Sequence, residues 1–288
     1  MGKQVFLKGP YNFYQALKRL TIDPLVDLNV EKQAIKLPII VENNPLVVHV
    51  IQQGTFEEPR FMIQTEDTVN EAALMAELNR IFHWDKPLED IYTFFQATEL
   101  AALFQELRGT PFVCDFTLYG CLMKTIIHQQ LNMTFAYELT KRFITTYGFK
   151  KKGVWFYPTA DRVASLSVAE LRELQFSQRK AEYVIDTSKL IAEGNLNLEA
   201  LKNFSDEEVM DKLVRIRGIG RWTAECFLMF GLGRLDLFPV QDIGIQNGIK
   251  KYYQLDKKPE KEKMLEMSSH WKPYRTYASL YLWDYLET

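Results

Sequence analysis

Up to about residue 65 the apolar positions fall in short runs, some alternating with polar ones, separated by turn-forming clusters. Residues 34–40, 46–52 and 60–64 therefore predict strands, with Asn43-Asn44-Pro45 and Glu57-Glu58-Pro59 between them. One amphipathic helix is expected over 12–20. From Val69 onward the period becomes helical and stays so. Helices are expected over 71–82, 87–98, 100–107, 116–130, 134–147, 168–174 and 177–193, and again over 206–216, 221–230, 243–253, 261–267 and 272–286. Ser177, Ser205 and Asp242 stand where N-caps belong, and Gly148, Gly194 and Gly218 where helices end. The expected class is α+β: a small α/β domain with an antiparallel sheet over 1–68, then an all-α region over 69–288 in two lobes with a cleft between them.

With 288 residues, 47% of them apolar, the chain can build two or three modest cores. No apolar run approaches the ~18 residues of a membrane span, so no membrane partner is expected. The start Met1-Gly2-Lys3-Gln4 lacks the apolar segment of a secretion signal. Three scattered cysteines, Cys114, Cys121 and Cys226, fit a reducing cytoplasm, at the nucleoid if the source is bacterial. A monomer is expected. The four histidines show no metal-ligand spacing, and no metal site is expected. Net charge is −2, but residues 1–110 carry 10 Lys/Arg against 15 Asp/Glu, and residues 111–288 carry 25 against 22. A polyanion would therefore dock on the C-terminal two-thirds.

The most informative local pattern is a tight Gly218-Ile219-Gly220 turn between two helical stretches, with Arg215, Arg217 and Arg221 around it and Thr223 just inside the second helix. Amides at a glycine-rich helix start are unpaired and sit at the positive end of the helix dipole, so they suit an anion. Such a joint grips a phosphodiester without reading a base. On its own it equally suits a C-cap and turn between packed helices. Asp242, 22 residues after Gly220, precedes a helix and reads as its N-cap; Asp236 is a lesser candidate because no helix start aims it.

The string Gly218-Ile219-Gly220-Arg221-Trp222-Thr223-Ala224 with Asp242 resembles the helix-hairpin-helix, Gly/Pro-rich-loop, catalytic-Asp (HhH-GPD) superfamily of DNA glycosylases, with the hairpin at about 206–230. The tail His270-Trp271-Lys272-Pro273-Tyr274-Arg275-Thr276-Tyr277-Ala278, ending at Leu282-Trp283, is similar to the last helix of AlkA-type 3-methyladenine DNA glycosylases II. The resemblance covers roughly residues 70–288, is specific in these two blocks, and agrees with a small N-terminal α/β domain.

That resemblance implies a monofunctional glycosylase of base excision repair, acting on flipped-out alkylated purines in duplex DNA. Asp242 would be the catalytic carboxylate, stabilising positive charge on the sugar as the glycosidic bond breaks. Trp222 stands where lyase members place a lysine, and an indole cannot form a Schiff base, so strand cleavage is not expected. Trp222 and Trp283 would line the base pocket, where electron-rich rings attract cationic bases; each also reads as a core aromatic. Tyr274, Tyr277 and Tyr281 read as packing. Leu131 would wedge into the duplex, supported by Gln130. Gly218, Gly220, Arg217, Arg221 and Thr223 would hold the phosphate. Arg217 replaces the family's proline before the first glycine. Cys226 stands where relatives present an aromatic to the pocket. The family's iron–sulfur variant needs four cysteines near the C-terminus, and none follows Cys226, so no cluster is expected; an alkali cation at the hairpin carbonyls is compatible with the family. Two other readings stay open: a sister glycosylase for oxidised, deaminated or mismatched bases, and a non-catalytic hairpin DNA-binding protein. The basic run Lys150-Lys151-Lys152 reads as a solvated helix end.

Overall fold

The computed structural model describes residues 2–86 and 88–287. Strands β1 (Gly2–Phe6), β2 (Asp27–Asn29), β3 (Ala34–Val41), β4 (Asn44–Gln52) and β5 (Arg60–Gln64) form one antiparallel sheet in the order β1-β5-β4-β3-β2. The β3–β4 hairpin turns on Glu42 and Asn43, both at positive φ (49° and 63°), the twist that a tight hairpin requires. Helix α1 (Phe13–Leu20) lays Ala16 and Leu17 on the sheet's apolar face, to which β3 contributes Ile35, Leu37, Ile39 and Val41 at alternate positions. The three expected strands are present. The two edge strands β1 and β2 were not expected: no residue of either is buried, and β1 pairs with a strand more than 50 residues away.

The helical region runs α2 (Glu71–Phe82), α3 (Leu88–Phe95), α4 (Ala101–Glu106), α5 (Leu118–His128) and α6 (Met133–Tyr147). A small hairpin of β6 (Phe149–Lys151) and β7 (Val154–Phe156) follows, then α7 (Ala160–Ala164), α8 (Val168–Glu173) and α9 (Gln178–Ala192). After a 3₁₀ turn come α10 (Asp206–Val214), α11 (Arg221–Cys226), α12 (Ile243–Tyr252), α13 (Lys261–Ser269) and α14 (Arg275–Glu287). The expected helix start at Pro87 lies outside the described residues. Ser177, Ser205 and Asp242 cap their helices as their positions suggest, each side chain accepting from an amide three residues on. The β6–β7 hairpin and α7 were not expected. Helix α11 runs on into a π-helical turn over Phe227–Gly231, a feature with no sequence signature.

Two apolar cores explain the layout. The first joins the sheet and α1–α4 to the C-terminal helices, from Tyr11 to Leu282; the second is built from α5–α11. The change near residue 68 therefore divides strand from helix but not one core from another. Between the cores lies a cleft of about 2340 Å³. Two ion-pair sets tie the N-terminal domain across the molecule. Arg19 of α1 bonds Asp284 of α14, and Lys151 and Lys152 bond Asp67 at 3.1 Å. The basic run read as a solvated helix end is thus a staple on the β6–β7 hairpin, with Lys150 lying 4.9 Å from the Trp155 ring. Among the described residues no helix is long and apolar enough to cross a membrane.

Candidate active site and DNA interface

The hairpin joint is built from inside. Gly218 takes φ +92°, and a Cβ there would lie 2.2 Å from the Tyr183 ring, so both the turn and the packing demand glycine. Gly220 opens α11 with no side chain capping it, and a Cβ there would meet nothing within 4 Å. The start of α11 thus carries no side-chain cap and has room beside Gly220, as a phosphate site needs. Gln129, at the end of α5, donates its side-chain amide to the Gly218 carbonyl and to Thr223 Oγ1, both at 2.8 Å. Thr223 was expected at the phosphate; it is 2% exposed and serves instead as an internal tie. Beneath Gln129, Lys180 of α9 donates to the carbonyls of Ile126, Ile127 and Gln129, capping α5. Burial brings its ammonium down to about 8.

The arginines are less available than their charge suggests. Arg217 pairs with Glu182 and Asp186 and lies over the Tyr183 ring at 5.3 Å. Arg221 pairs with the buried Glu225 at 2.9 Å. Both guanidinium groups remain well exposed, but each brings a carboxylate with it. The joint's attraction for an anion therefore falls more heavily on its backbone amides than the sequence suggests.

Asp242 is the focus of the cleft. As N-cap of α12 its Oδ1 accepts from the Ile245 amide and from Trp283 Nε1, both at 2.9 Å, while Oδ2 accepts from Trp222 Nε1 at 2.9 Å. The two tryptophans expected as pocket faces thus also grip the carboxylate by their edges. Three of its roughly four acceptor positions are filled, leaving one on Oδ2. Such a carboxylate is fixed in place by three N–H bonds. Asp236 is held in a two-point pair by Arg275, at 2.6 and 3.0 Å, and is taken up in that pair. Two glycines missed by sequence reasoning bring the group together. A Cβ on Gly244 would lie 2.9 Å from the Trp283 ring, and one on Gly248 would lie 2.5 Å from the Leu282 carbonyl. Their spacing of four, on one face of α12, was the available signal.

Comparison with known proteins agrees with this geometry. Residues 123–273 match the family described as HhH-GPD superfamily base excision DNA repair protein. The chain belongs to this superfamily. It is 48% identical over 286 residues to the Bacillus subtilis protein YfjP, covering 99% of each chain; that protein's name carries a provisional assignment as a DNA-3-methyladenine glycosylase. The solved 3-methyladenine DNA glycosylase of Archaeoglobus fulgidus shares the fold, with a TM-score of 0.86 over 99% of this chain and 98% of that one, at 23% identity. The Schizosaccharomyces pombe 3-methyladenine DNA glycosylase in complex with abasic DNA matches at 27% identity, with a TM-score of 0.61 over 68% of this chain and 95% of that one.

The remaining wall of this HhH-GPD cleft comes from α5, α11 and the π turn. Cys226 is buried; burial and the neighbouring Asp242 push its thiol well up. Phe230, in the π turn, stacks on Trp283 at 5.8 Å, and both rings line the cleft. Tyr277 and Tyr281 are core residues, bonded to His83 and to the Thr110 carbonyl; Tyr274 packs edge-on against Phe94. At the α5–α6 corner Leu131 is half-buried and packs on the second core, whereas Gln130 is exposed at φ +56°. The expected wedge is therefore turned partly inward, and its neighbour stands at the tip.

Proposed function

We propose that this chain is a monofunctional DNA glycosylase of base excision repair that hydrolyses the N-glycosidic bond of flipped-out alkylated purines in duplex DNA. The observation that carries this reading is Asp242, held by three N–H groups where a tryptophan replaces the amine of a lyase. Bond cleavage places positive charge on the deoxyribose, and a prealigned anion stabilises that charge more than it stabilises the ground state. The three donors hold Asp242 in one orientation, as this electrostatic role requires. The indole faces favour a cationic alkylpurine, which leaves with little need of a general acid. Duplex DNA is the partner, gripped at the Gly220 amides; we propose a monomer acting in the cytoplasm, with no cofactor in the chemistry.

The hairpin carbonyls also suit a loosely held alkali cation. Those of Ile216 and Gly218 already accept hydrogen bonds, from the Ile219 amide and from Gln129, and each keeps a second lone pair. Such an ion would brace the turn, and no step of base release runs through it.

Two lysines line the cleft, Lys18 of α1 and Lys124 of α5, and Lys124 is paired with Asp115. The carboxylate beside it raises its affinity for a proton well above the ordinary lysine value, so it stays an ammonium ion and not a nucleophile. Incubation with methylated duplex DNA, followed by identification of the released bases, tests the activity. Borohydride added to the same reaction is expected to trap no enzyme–DNA adduct; a trapped adduct would overturn the monofunctional reading. Release of oxidised or mismatched bases in place of alkylpurines would favour the sister-glycosylase reading.

We further propose that Gln130, and not Leu131, occupies the gap left by the flipped base. Gln130→Gly removes the side chain while easing the positive φ. It is expected to slow base release from duplex DNA about tenfold, in keeping with the few kcal/mol that flipping costs, with an unchanged thermal midpoint. Leu131→Ala is expected to lower the midpoint instead, because Leu131 packs on the core.

A further inference from the structure

The inner end of the cleft holds a charged pair that base release, as described so far, does not use. Lys124 Nζ bonds Asp115 Oδ1 and lies 5.9 Å from the centre of the Phe230 ring. Phe230 stacks on Trp283, whose indole nitrogen is 2.9 Å from Asp242. A continuous path of contacts thus runs from the catalytic carboxylate to the ammonium group. The Cys226 thiol senses charge from both Asp242 and Lys124, which places it within electrostatic reach of each end. Lys124 has three N–H donors, and Asp115 is its hydrogen-bond partner. Asp115 Oδ2 is enclosed and accepts no hydrogen bond, apart from the weak donor that the Cys121 thiol provides beside it. The backbone around Asp115 is fixed: its amide bonds the Phe230 carbonyl at 2.8 Å, and Arg80 bonds its carbonyl at 3.0 Å. Asp115 therefore holds the Lys124 ammonium in place, with donors left over.

A purine with a carbonyl at C6 presents an acceptor there, complementary to an ammonium donor. 3-Methyladenine presents an amino group at C6 and no hydrogen on N1, so its amino group would meet the ammonium donor to donor. We propose that Lys124, held in place by Asp115, is a specificity-determining residue of the base pocket, donating to the C6 carbonyl of the flipped purine. The enzyme then favours 7-methylguanine and hypoxanthine over 3-methyladenine, against the bias that aromatic walls alone would set. This inference rests on the proposed base-release activity.

The test measures both released bases in one reaction. Methylated duplex DNA supplies 7-methylguanine and 3-methyladenine together, and a duplex with a single hypoxanthine supplies the neutral base. The double variant Lys124→Met/Asp115→Asn removes both charges at once, so no lone charge is left buried. The ratio of 7-methylguanine to 3-methyladenine release is expected to fall about tenfold, and hypoxanthine release with it, the size of one lost charge-assisted hydrogen bond. A ratio equal to that of the wild type, whatever the total rate, overturns the inference and marks the pair as structural. Wild-type protein that releases 3-methyladenine but neither C6-carbonyl base also overturns it. Wild-type protein that releases no base overturns the underlying activity first. If the double variant does not fold, inhibition of the wild type by the free bases gives the same answer. Hypoxanthine is then expected to inhibit more strongly than 3-methyladenine, and the reverse order refutes the role of Lys124.

Discussion

Changing Asp242 to Asn lowers base release by on the order of 10²–10³-fold while binding to a duplex containing an abasic site is largely kept. The expected loss follows from the three bonds on the carboxylate. Asn caps helices as well as Asp does, so α12 should start unchanged. Its carbonyl oxygen can take the place of Oδ1, accepting from the Ile245 amide and Trp283. Its NH₂ then faces the Trp222 indole N–H, 2.9 Å from the atom it replaces, and two donors oppose each other. The variant thus loses the negative charge and disturbs Trp222, but it leaves the Gly218–Gly220 joint alone. Single-turnover release from methylated duplex, alongside affinity for abasic duplex, separates the two effects. A variant that releases bases at the wild-type rate would refute the role of Asp242, and a wild type that releases none would assign this chain to the non-catalytic DNA clamps.

The second large effect is at the hairpin, where the two glycines should behave differently. Gly218→Ala forces a side chain into φ +92° and sets a Cβ 2.2 Å from the Tyr183 ring. Backbone strain of this kind costs on the order of 1–3 kcal/mol before any clash is counted. Tyr183 cannot easily yield, because the Arg217 guanidinium lies over it and is itself held by Glu182. The expected result is a lower thermal midpoint together with a drop of about tenfold or more in affinity for abasic duplex, since the displaced Gly218 carbonyl would also let go of Gln129. Gly220→Ala has space in the free protein, so its thermal midpoint should hold while DNA affinity falls. Thermal unfolding and binding measured on both variants check this contrast. Equal behaviour of the two would refute the division into one structural and one contact glycine.

Much of this site lies open in the sequence because its parts are local. A helix period, a Gly-x-Gly turn and an acid before an apolar helix each depend on residues within a few positions. The caps at Ser177, Ser205 and Asp242 could be read for that reason, as could the joint at 218–220. Glycine spacing on α12 was equally local and went unread: Gly244 and Gly248 gain meaning only once α14 lies against them. Other features depend on partners far apart in the chain. Gln129 meets Thr223 across 94 residues, Lys180 meets the end of α5 across about 50, and Arg19 meets Asp284 from the opposite end of the protein. In sequence, Lys180 is one lysine among many, and nothing distinguishes it as a helix cap. Thr223 and Leu131 show the same limit in the other direction. Their residue types suit DNA contact, but packing turned both of them inward.

By itself, then, the sequence determined the class of the fold, the Gly-x-Gly joint between two helices, the carboxylate at the head of α12, and the indole in the joint's second helix. These follow from backbone preferences and residue chemistry that hold wherever the segment lies. Only the tertiary structure decided how that carboxylate is held, which residue stands at the tip of the α5–α6 corner, and which charges line the cleft. Those depend on hydrogen bonds and burial between distant segments, where one neighbour a few ångströms away outweighs any local preference. The hairpin charge illustrates the difference: three arginines mark it in the sequence, yet acids brought up by α9 and α11 pair with Arg217 and Arg221.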